Sequence, residues 1–382
     1  MKKRHNIQYL LALMFTLALV GCSNDDFLTT QSDETKVVSF SIDTDMPKIV
    51  SKARDGYRNW TAGDPTSFGA FGMYDRDFAK INELFNNKQV TRDAGKWTYS
   101  PEKHWAHFIE HNTFDFFGYM PYKAEATLAQ GGEGHENEYT LSVPVTLDDA
   151  VLSDEDKANI PLICHLPVHK TKVGEVIDYQ MDQVLTGFNL QFKMGEEMAK
   201  LRDFVIKEVK VTGAASTLPK GGNVSRTYTY NASAGTWSAG AVVWSDLTKQ
   251  ATAVEHTVPF VDHGKGAAND AYDATNETLR VGYSFQNQTS QWGANFYTIP
   301  SADFTPTISV KYDVTVYDED GHFIETRENI TSTIEFSSDY FGITYSGGNI
   351  GKVHPIVVQI VPSYLYVLAD ADQRASWIIV QD

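Results

Sequence analysis

A cysteine and two histidines occur at spacings that could bind a transition metal. Cys164, His165 and His169 bring together one thiol and two imidazoles, which are ligands that zinc prefers. A catalytic zinc site needs three such ligands and groups that orient them. Because Pro161 and Pro167 bracket the segment, the two histidines are not expected to share a helix face. We interpret the segment as a loop or strand edge with solvated histidines.

A second group of histidines follows helical spacing. His104, His107 and His111 recur at intervals of three and four residues beside Trp105, which would place them on one face of a helix. The segment instead leads irregularly into a strand pattern. The acidic clusters at 148–149, 154–156 and 318–320 lack the glycine and distal glutamate of a calcium-binding loop, and are interpreted as solvated surface. No metal or other cofactor is predicted.

Catalytic motifs are missing from the sequence. It has no G-x-S-x-G, H-E-x-x-H, P-loop or dinucleotide-binding pattern. A carboxylate pair for glycoside hydrolysis is defined by the distance between the two groups in space, and nothing in the sequence selects such a pair. We therefore name no catalytic residue. The chain is predicted not to be an enzyme. Six tryptophans could stack on sugar rings, although packing is their more common role in a sandwich. They are Trp60, Trp97, Trp105, Trp237, Trp244 and Trp292.

The residue with the clearest chemical role is Cys22. Three basic residues at 2–4 and a short apolar run at 9–18 precede Leu19-Val20-Gly21-Cys22, and the run is too short for an ordinary spanning helix. The motif resembles the bacterial lipobox, in which the cysteine thiol takes a diacylglycerol and cleavage follows the small residue before it. Residues 1–21 are therefore predicted to be a lipoprotein signal peptide. The alternative is an ordinary signal peptide in which Cys22 is incidental.

The predicted anchor is followed by a polar segment. Residues 22–36 are rich in Ser, Thr and Asp, which predicts a flexible tether. Ser23-Asn24-Asp25-Asp26 resembles the acidic surface-export signals of some lipoproteins. Several acyl chains on one residue give stable membrane binding. We expect an outer-membrane, lipid-anchored protein exposed at the cell surface.

Composition limits the remaining classes. The chain has 382 residues, of which 42% are hydrophobic and 21% charged, so it can bury a substantial core. Its formal net charge of −17 repels phosphate backbones and argues against nucleic-acid binding. Two cysteines exclude a disulfide framework.

Short strand patterns run along the whole mature chain. In Val37–Ile42 the apolar side chains of Val38, Phe40 and Ile42 alternate with serines, which predicts a half-buried strand. Helical periodicity is limited to Ser153–Asn159 and Glu196–Leu201. Many short strands separated by turns indicate an all-β fold. The length fits two β-sandwich domains, 37–185 and 186–382. Ten further segments carry strand patterns: 68–74, 96–99, 113–119, 138–143, 187–194, 204–211, 227–230, 296–299, 307–317 and 353–361.

Several of these segments resemble the fimbrillin family. Trp60–Asp64 leads to Phe68–Tyr74 as in the opening of family members, and Phe114–Tyr122 is similar to the family signature, with Gly118 where alanine is usual. The similarity continues through Leu185–Phe192. It extends to 297–301, where Ser301 departs from the family's usual residue, and to a late strand at 351–354.

This resemblance implies an architecture and an assembly mechanism. The family has two transthyretin-like β-sandwich domains and assembles type V pili on the outer membrane. A trypsin-like protease cuts after an arginine that follows the first strand, and a neighbouring subunit fills the exposed groove. Here the leaving strand would carry Val38, Phe40 and Ile42, and Arg54 is the main cleavage candidate. Lys52 and Arg58 are lesser candidates, and Arg54 as an ordinary solvated loop residue is the alternative.

The resemblance also implies partners. The donor strand candidate is the last apolar segment, formed by Trp377, Ile378, Ile379 and Val380. The expected partners are other pilus subunits, outer-membrane lipid through Cys22, and a receptor on a host or bacterial surface. A surface lipoprotein that binds glycan without polymerising is the alternative, and a hydrolase on a β-sandwich is a third hypothesis.

Overall fold

The structure is a computed structural model. It describes residues 36–45, 66–93, 95–194, 200–262, 271–281, 292–301, 304–335 and 350–359. These residues are built almost entirely from β-strands, which confirms the predicted all-β class. Short 3-10 helices interrupt the strands at Phe78–Asn82, Trp105–Phe108 and Asp154–Asn159. Among the described residues no helix has the length and apolar character needed to cross a membrane.

The strands are numbered in chain order. They are β1 (Phe40–Asp45), β2 (Ser67–Tyr74), β3 (Phe85–Asp93), β4 (Lys96–Thr98), β5 (Phe114–Met120), β6 (Thr127–Gln130), β7 (Glu138–Thr146), β8 (Leu152–Ser153), β9 (Leu162–Cys164), β10 (Val168–Lys170), β11 (Ile177–Gln183), β12 (Thr186–Lys193), β13 (Arg202–Gly213), β14 (Pro219–Asn231), β15 (Thr236–Lys249), β16 (Val254–Thr257), β17 (Phe260–Asp262), β18 (Ala271–Asp273), β19 (Thr278–Val281), β20 (Trp292–Thr298), β21 (Thr307–Tyr317), β22 (Phe323–Glu335) and β23 (Val353–Gln359).

Two sheets enclose the first core. Sheet 1 has the order β1-β11-β9-β5-β2-β3-β4, with β10 also paired to β5, and sheet 2 has the order β15-β14-β7-β6. Their facing side chains form one cluster of buried residues that is rich in aromatic rings. Strands β14 and β15 follow β12 in the chain, yet β14 pairs antiparallel with β7 and completes this first sandwich.

Two further sheets enclose the second core. Sheet 3 has the order β17-β20-β12-β23 with β8 paired to β20, and sheet 4 has the order β18-β19-β13-β21-β22 with β16 paired to β13. Strand β21 alternates strictly between buried and partly exposed residues, as expected of a strand with one face on a core. Residues 318–322 join β21 to β22.

Local chemistry explains where elements differ from the sequence-based expectation. The helical pattern at Ser153–Asn159 is a 3-10 helix, whose first turn is capped by the Ser153 hydroxyl and the Asp156 carboxylate. The predicted strand 138–143 continues past Pro144 to Thr146. Strand β6 pairs only with residues 139–142 of β7. The missing proline N–H therefore lies beyond the end of β6 and breaks no ladder hydrogen bond.

Candidate functional site

The first strand lies at an edge of sheet 1. Strand β1 pairs in parallel with β11, with Phe40 opposite Ile177 and Asp45 opposite Asp182. Among the described residues, it is the outermost strand at one end of sheet 1. The strand begins at Phe40, whereas the sequence predicts a start at Val37. Because β1 has a strand partner on one side, sheet 1 can lose it without being divided.

Three apolar side chains in and just before β1 are nevertheless buried. Val38 is fully buried, and Phe40 and Ile42 are each 7% exposed, so the predicted alternation is confirmed. The ring of Phe40 lies edge-on to Phe68 at a centroid distance of 5.3 Å. It also stacks on Tyr179 at 6.1 Å with an interplanar angle of 7°.

Two more rings complete the surroundings of Phe40. The ring of Phe85 lies 5.5 Å away and that of Tyr99 lies 5.7 Å away. We call Phe68, Phe85, Tyr99 and Tyr179 the aromatic box. Edge-to-face and offset contacts of this kind stabilise beyond area burial by about 0.5–1.5 kcal/mol each.

The residues just before β1 have a second set of contacts. The Val38 N–H donates to the Lys103 carbonyl at 2.9 Å, and the Trp105 N–H donates to the Lys36 carbonyl at 3.0 Å. Val37 and His104 form an isolated antiparallel bridge. Residues 36–38 are therefore hydrogen-bonded to residues 103–105, on the side that faces away from β11. Phe40–Asp45 is paired only with β11.

Two tyrosine hydroxyls of the aromatic box play different parts. The Tyr99 hydroxyl donates to the Val38 carbonyl at 2.8 Å, whereas the Tyr179 hydroxyl donates to the Phe117 carbonyl at 3.1 Å. Burial raises the pKa of both phenols above the ordinary value of tyrosine, so both remain hydrogen-bond donors at neutral pH. The Tyr99 hydroxyl thus holds the backbone of the first strand segment, whereas the Tyr179 hydroxyl holds the backbone of β5.

The other predicted site residues lie outside the described residues. These are Cys22, Arg54 and the segment Trp377–Val380. Their predicted roles in lipidation, cleavage and strand donation stay predictions.

The Cys-His-x-x-x-His segment has separate partners for each ligand. The Cys164 thiol lies 3.1 Å from the Tyr228 hydroxyl, and burial raises its pKa to about 11, so it remains a protonated thiol. His165 Nδ1 lies 2.9 Å from Asp182, and His169 Nδ1 lies 2.7 Å from Asp115. This arrangement ties strands together and does not converge on one metal.

Asp115 forms a deeply buried polar contact between sheets 1 and 2. The residue is fully buried, and its Oδ1 atom accepts from Trp237 Nε1 at 2.7 Å besides the contact with His169. Its Oδ2 atom is buried and has no hydrogen-bond partner among the described residues. A buried carboxylate is costly unless it is hydrogen-bonded, so the Trp237 N–H matters to both sheets.

Several other titratable clusters have exposed members. His111 Nδ1 contacts Asp75 at 2.6 Å, and the rings of His104 and His107 are 6.1 Å apart. Asp318, Asp320 and His322 offer ligand atoms within 4.8 Å of one another. The backbone N–H groups of Asp320 and His322 donate to the Asp318 carboxylate, which is the hydrogen bonding expected of an aspartate in a turn.

The tryptophans are divided between core and surface. Trp105 is fully buried and Trp237 is 9% exposed, so neither can form a platform for a sugar ring. Trp97, Trp244 and Trp292 are partly exposed, and Trp292 stacks on Tyr272 at 4.3 Å. Trp60 lies outside the described residues.

The described residues thus define an all-β protein with two paired-sheet cores and an apolar edge strand at its start. No protein-family model matches the sequence, and no curated protein matches it.

Several solved structures are similar to this chain at low identity. A proposed cell adhesion protein from Bacteroides ovatus is 13% identical, with 85% of this chain and 92% of that chain covered and a TM-score of 0.40. A fimbrial protein from the same species is 11% identical, with 84% and 48% covered and a TM-score of 0.32. The fimbrial anchor protein Mfa2 from Porphyromonas gingivalis is 11% identical, with 85% and 90% covered and a TM-score of 0.26. These similarities assign no residue role or partner to this chain.

Proposed function

We propose that this chain is a fimbrillin-family structural and adhesive subunit of a cell-surface pilus. In this proposal it is exported as a lipoprotein through Cys22 and carried to the outer membrane. Proteolysis then detaches the first strand, and a strand from a neighbouring subunit takes its place. Other subunits are the main partners, and the assembled pilus presents adhesive surfaces to a receptor.

The observation that carries this proposal is the position of β1. It lies at a sheet edge, pairs with β11 alone over Phe40–Asp45, and still buries the side chains of Val38, Phe40 and Ile42. Most edge strands are protected by charges, prolines or short length. An edge strand with three buried apolar side chains is instead a separable part of the core.

Loss of β1 would create a strong acceptor for another strand. The β11 edge would present unpaired N–H and C=O groups, and three empty apolar pockets would face water. Each refilled pocket returns about 1.5–3 kcal/mol of hydrophobic stabilisation. Addition of a donor strand restores both the hydrogen bonds and the burial, so assembly needs no nucleotide.

Cleavage after Arg54 is the first prediction. Treatment with an arginine-specific protease is expected to give a new N-terminus at Asp55, followed by ladders that resist SDS. The reason is that residues 46–65 follow β1 directly in the chain, so a cut there makes β1 a non-covalent ligand. N-terminal sequencing and electrophoresis measure both steps.

Two variants make the experiment specific. Arg54→Ala is expected to remove the Asp55 N-terminus, and Arg54→Ala combined with Arg58→Ala is expected to abolish the ladder, because a cut after either arginine separates β1 from the rest of the chain. A cut protein that remains monomeric with residues 37–42 still bound contradicts the proposal.

The hydroxyl of Tyr99 provides a second prediction. Tyr99→Phe removes the hydrogen bond to the Val38 carbonyl and keeps the ring that contacts Phe40. One such bond contributes about 0.5–1.5 kcal/mol. The cut N-terminal segment is therefore expected to dissociate roughly 2- to 10-fold faster, as measured with a fluorescent label on that segment.

Tyr179→Phe is the matched control for Tyr99. It also removes a buried hydroxyl from a ring that packs on Phe40, but that hydroxyl donates to Phe117 and not to the first strand. Its release rate is expected to equal that of the unmodified protein. Equal acceleration by both substitutions would show that release follows general core stability.

A further inference from the structure

A polar groove lies at one end of sheet 4. It is formed where β13 ends, where β16 begins and where the chain enters β21, and its volume is about 590 Å³. Volumes of about 300–1,000 Å³ are typical of sites that bind small organic ligands. The groove is therefore large enough for a ligand of this kind.

Three adjacent strands place a row of polar side chains along the groove. In the register of sheet 4, Thr212 on β13 lies opposite Glu255 on β16 and opposite Thr307 on β21. Residues directly opposite one another in antiparallel strands share a face of the sheet. Because the neighbouring Val211 is buried in the second core, the row lies on the outer face of sheet 4.

The threonines of the groove supply hydroxyl groups in two states. The Thr212 hydroxyl donates to the Thr307 carbonyl at 3.2 Å, and the Thr217 hydroxyl donates to the Ala214 carbonyl at 2.7 Å. The oxygens of these two hydroxyls can still accept hydrogen bonds from a ligand. Among the described residues, no hydrogen bond involves the hydroxyl of Thr305 or of Thr307, so these two can both donate and accept.

A carboxylate stands at the rim of the groove. The Glu255 side chain is 66% exposed, and its carboxylate lies 2.7 Å from Lys210 Nζ. The same ammonium lies 3.3 Å from the Glu208 carboxylate, so two carboxylates share one positive charge. The negative charge that remains would repel an anionic ligand.

Small apolar groups lie beside these polar atoms. They are the methyl groups of the threonines and of Ala214, Ala253 and Val254, and no aromatic side chain lines the groove among the described residues. A flat aromatic ligand would therefore find no ring on which to stack. The mixture of hydroxyls and methyls matches the surface of a sugar, whose ring carries hydroxyl groups around short C–H faces.

One wall of the groove is held in shape by its own hydrogen bonds. The Ala214 carbonyl accepts from the Thr217 N–H at 3.3 Å and from Gln250 Nε2 at 2.9 Å, besides the Thr217 hydroxyl. The Ser216 N–H donates to the Gln250 carbonyl at 3.0 Å, which holds Ser216 in the left-handed region with a φ of 61°. A preformed wall lowers the ordering cost of binding.

We propose that this groove binds an uncharged sugar residue of a surface glycan. The inference deepens the adhesive part of the proposed function, on which it rests for the source of the ligand, and names the class of receptor. The Glu255 carboxylate accepts hydrogen bonds from sugar hydroxyls, and the Thr305 and Thr307 hydroxyls donate to them or accept from them. Sialylated and sulfated sugars are excluded by their negative charge.

Binding by the full-length, uncut chain tests this site. On an array of galactose-, mannose- and fucose-terminated glycans, the labelled chain is expected to bind neutral members and not their sialylated counterparts. Calorimetric titration with the neutral glycan that binds most strongly then gives the Kd. Glu255→Gln is expected to weaken binding by at least about 10-fold, because hydrogen bonds to a charged acceptor are lost, and Thr305→Val by roughly 2- to 10-fold.

Two matched variants control for charge and for hydroxyl loss. Glu328→Gln removes an exposed carboxylate from β22 of the same sheet, and Thr257→Val removes an exposed hydroxyl from β16 outside the groove. Both are expected to leave the Kd unchanged. An exposed ion pair such as that of Glu255 contributes little to stability, so all four variants are expected to keep the thermal midpoint of the unmodified chain.

The outcomes separate this inference from the proposed strand exchange. The inference fails if the unmodified chain binds no neutral glycan or prefers sialylated ones. It also fails if binding survives both Glu255→Gln and Thr305→Val, or if Glu328→Gln weakens it as much as Glu255→Gln does. None of these results affects ladder formation after cleavage. A chain that binds neutral glycans through Glu255 but forms no ladder retains the glycan site and overturns the pilus function.

Discussion

A fragment that ends at residue 185 is expected not to fold by itself. Strand β7 in this fragment would lose β14, its partner from Gly221 to Thr229. Sheet 2 would be reduced to β6 and β7, and the aromatic-rich core would be open on that side. The buried core residues that would be lost are Val224, Tyr228, Tyr230, Trp237 and Val242 of β14 and β15, together with Tyr297 and Ile299.

The same cut would leave Asp115 without its indole donor. The Trp237 N–H donates to the fully buried Asp115 carboxylate. Leaving a buried polar group unpaired costs about 1–3 kcal/mol, and more for a charge. The loss of packing and of this hydrogen bond therefore act in the same direction.

Fragment complementation measures this interdependence. Residues 36–185 alone are expected to show no cooperative thermal transition and no near-ultraviolet circular dichroism. Mixing with residues 186–382 should restore both signals, because β14 and β15 then return to sheet 2. A cooperative transition in the isolated fragment would contradict the expectation and support the predicted boundary near residue 185.

The sequence predicts those strands in which one face is buried along the whole length. Strand β21 spans Thr307–Tyr317 as predicted, because each buried residue alternates with a more exposed one. Strand β15 was not predicted, since beyond Val242 its residues are mostly exposed and its register with β14 shifts in several places. Strand β3 was missed for a similar reason: only Phe85 and Val90 of its residues are buried.

The candidate site illustrates what local patterns leave out. The alternation of Val38, Phe40 and Ile42 predicts a buried face and is confirmed. The rings that receive Phe40 come from β2, β3, β11 and the segment after β4, so no spacing in the chain brings them together. Tyr99 stands in a recognisable W-T-Y pattern, but its hydrogen bond to Val38 depends on tertiary contacts.

Phe40→Ala is expected to have the largest effect of any single change in the first strand. The ring contacts all four members of the aromatic box and is 7% exposed. Replacement of a buried phenylalanine by alanine costs about 3–5 kcal/mol. Because β1 lies at a sheet edge, the cavity left by the ring can partly collapse. We therefore expect the free energy of unfolding to fall by about 3 kcal/mol.

Two measurements follow from the Phe40 substitution. In the uncut protein, the urea midpoint of unfolding should fall without a change in the slope. After cleavage at Arg54, the N-terminal segment should dissociate about 100-fold faster, since about 1.4 kcal/mol corresponds to a factor of ten. Tyr99→Phe, which removes one hydrogen bond to the first strand segment, should accelerate release far less.

Ser41→Ala is the control within the same strand. Ser41 is exposed and adjacent to Phe40, so its substitution should change stability by less than about 0.5 kcal/mol. If Phe40→Ala and Ser41→Ala release the segment at the same rate, side-chain burial does not hold the strand. If the two rates differ as expected, burial of Phe40 in the aromatic box holds the first strand in place. The same box is the pocket that a donor strand must refill. A less stably bound first strand would therefore make assembly faster but less dependent on cleavage.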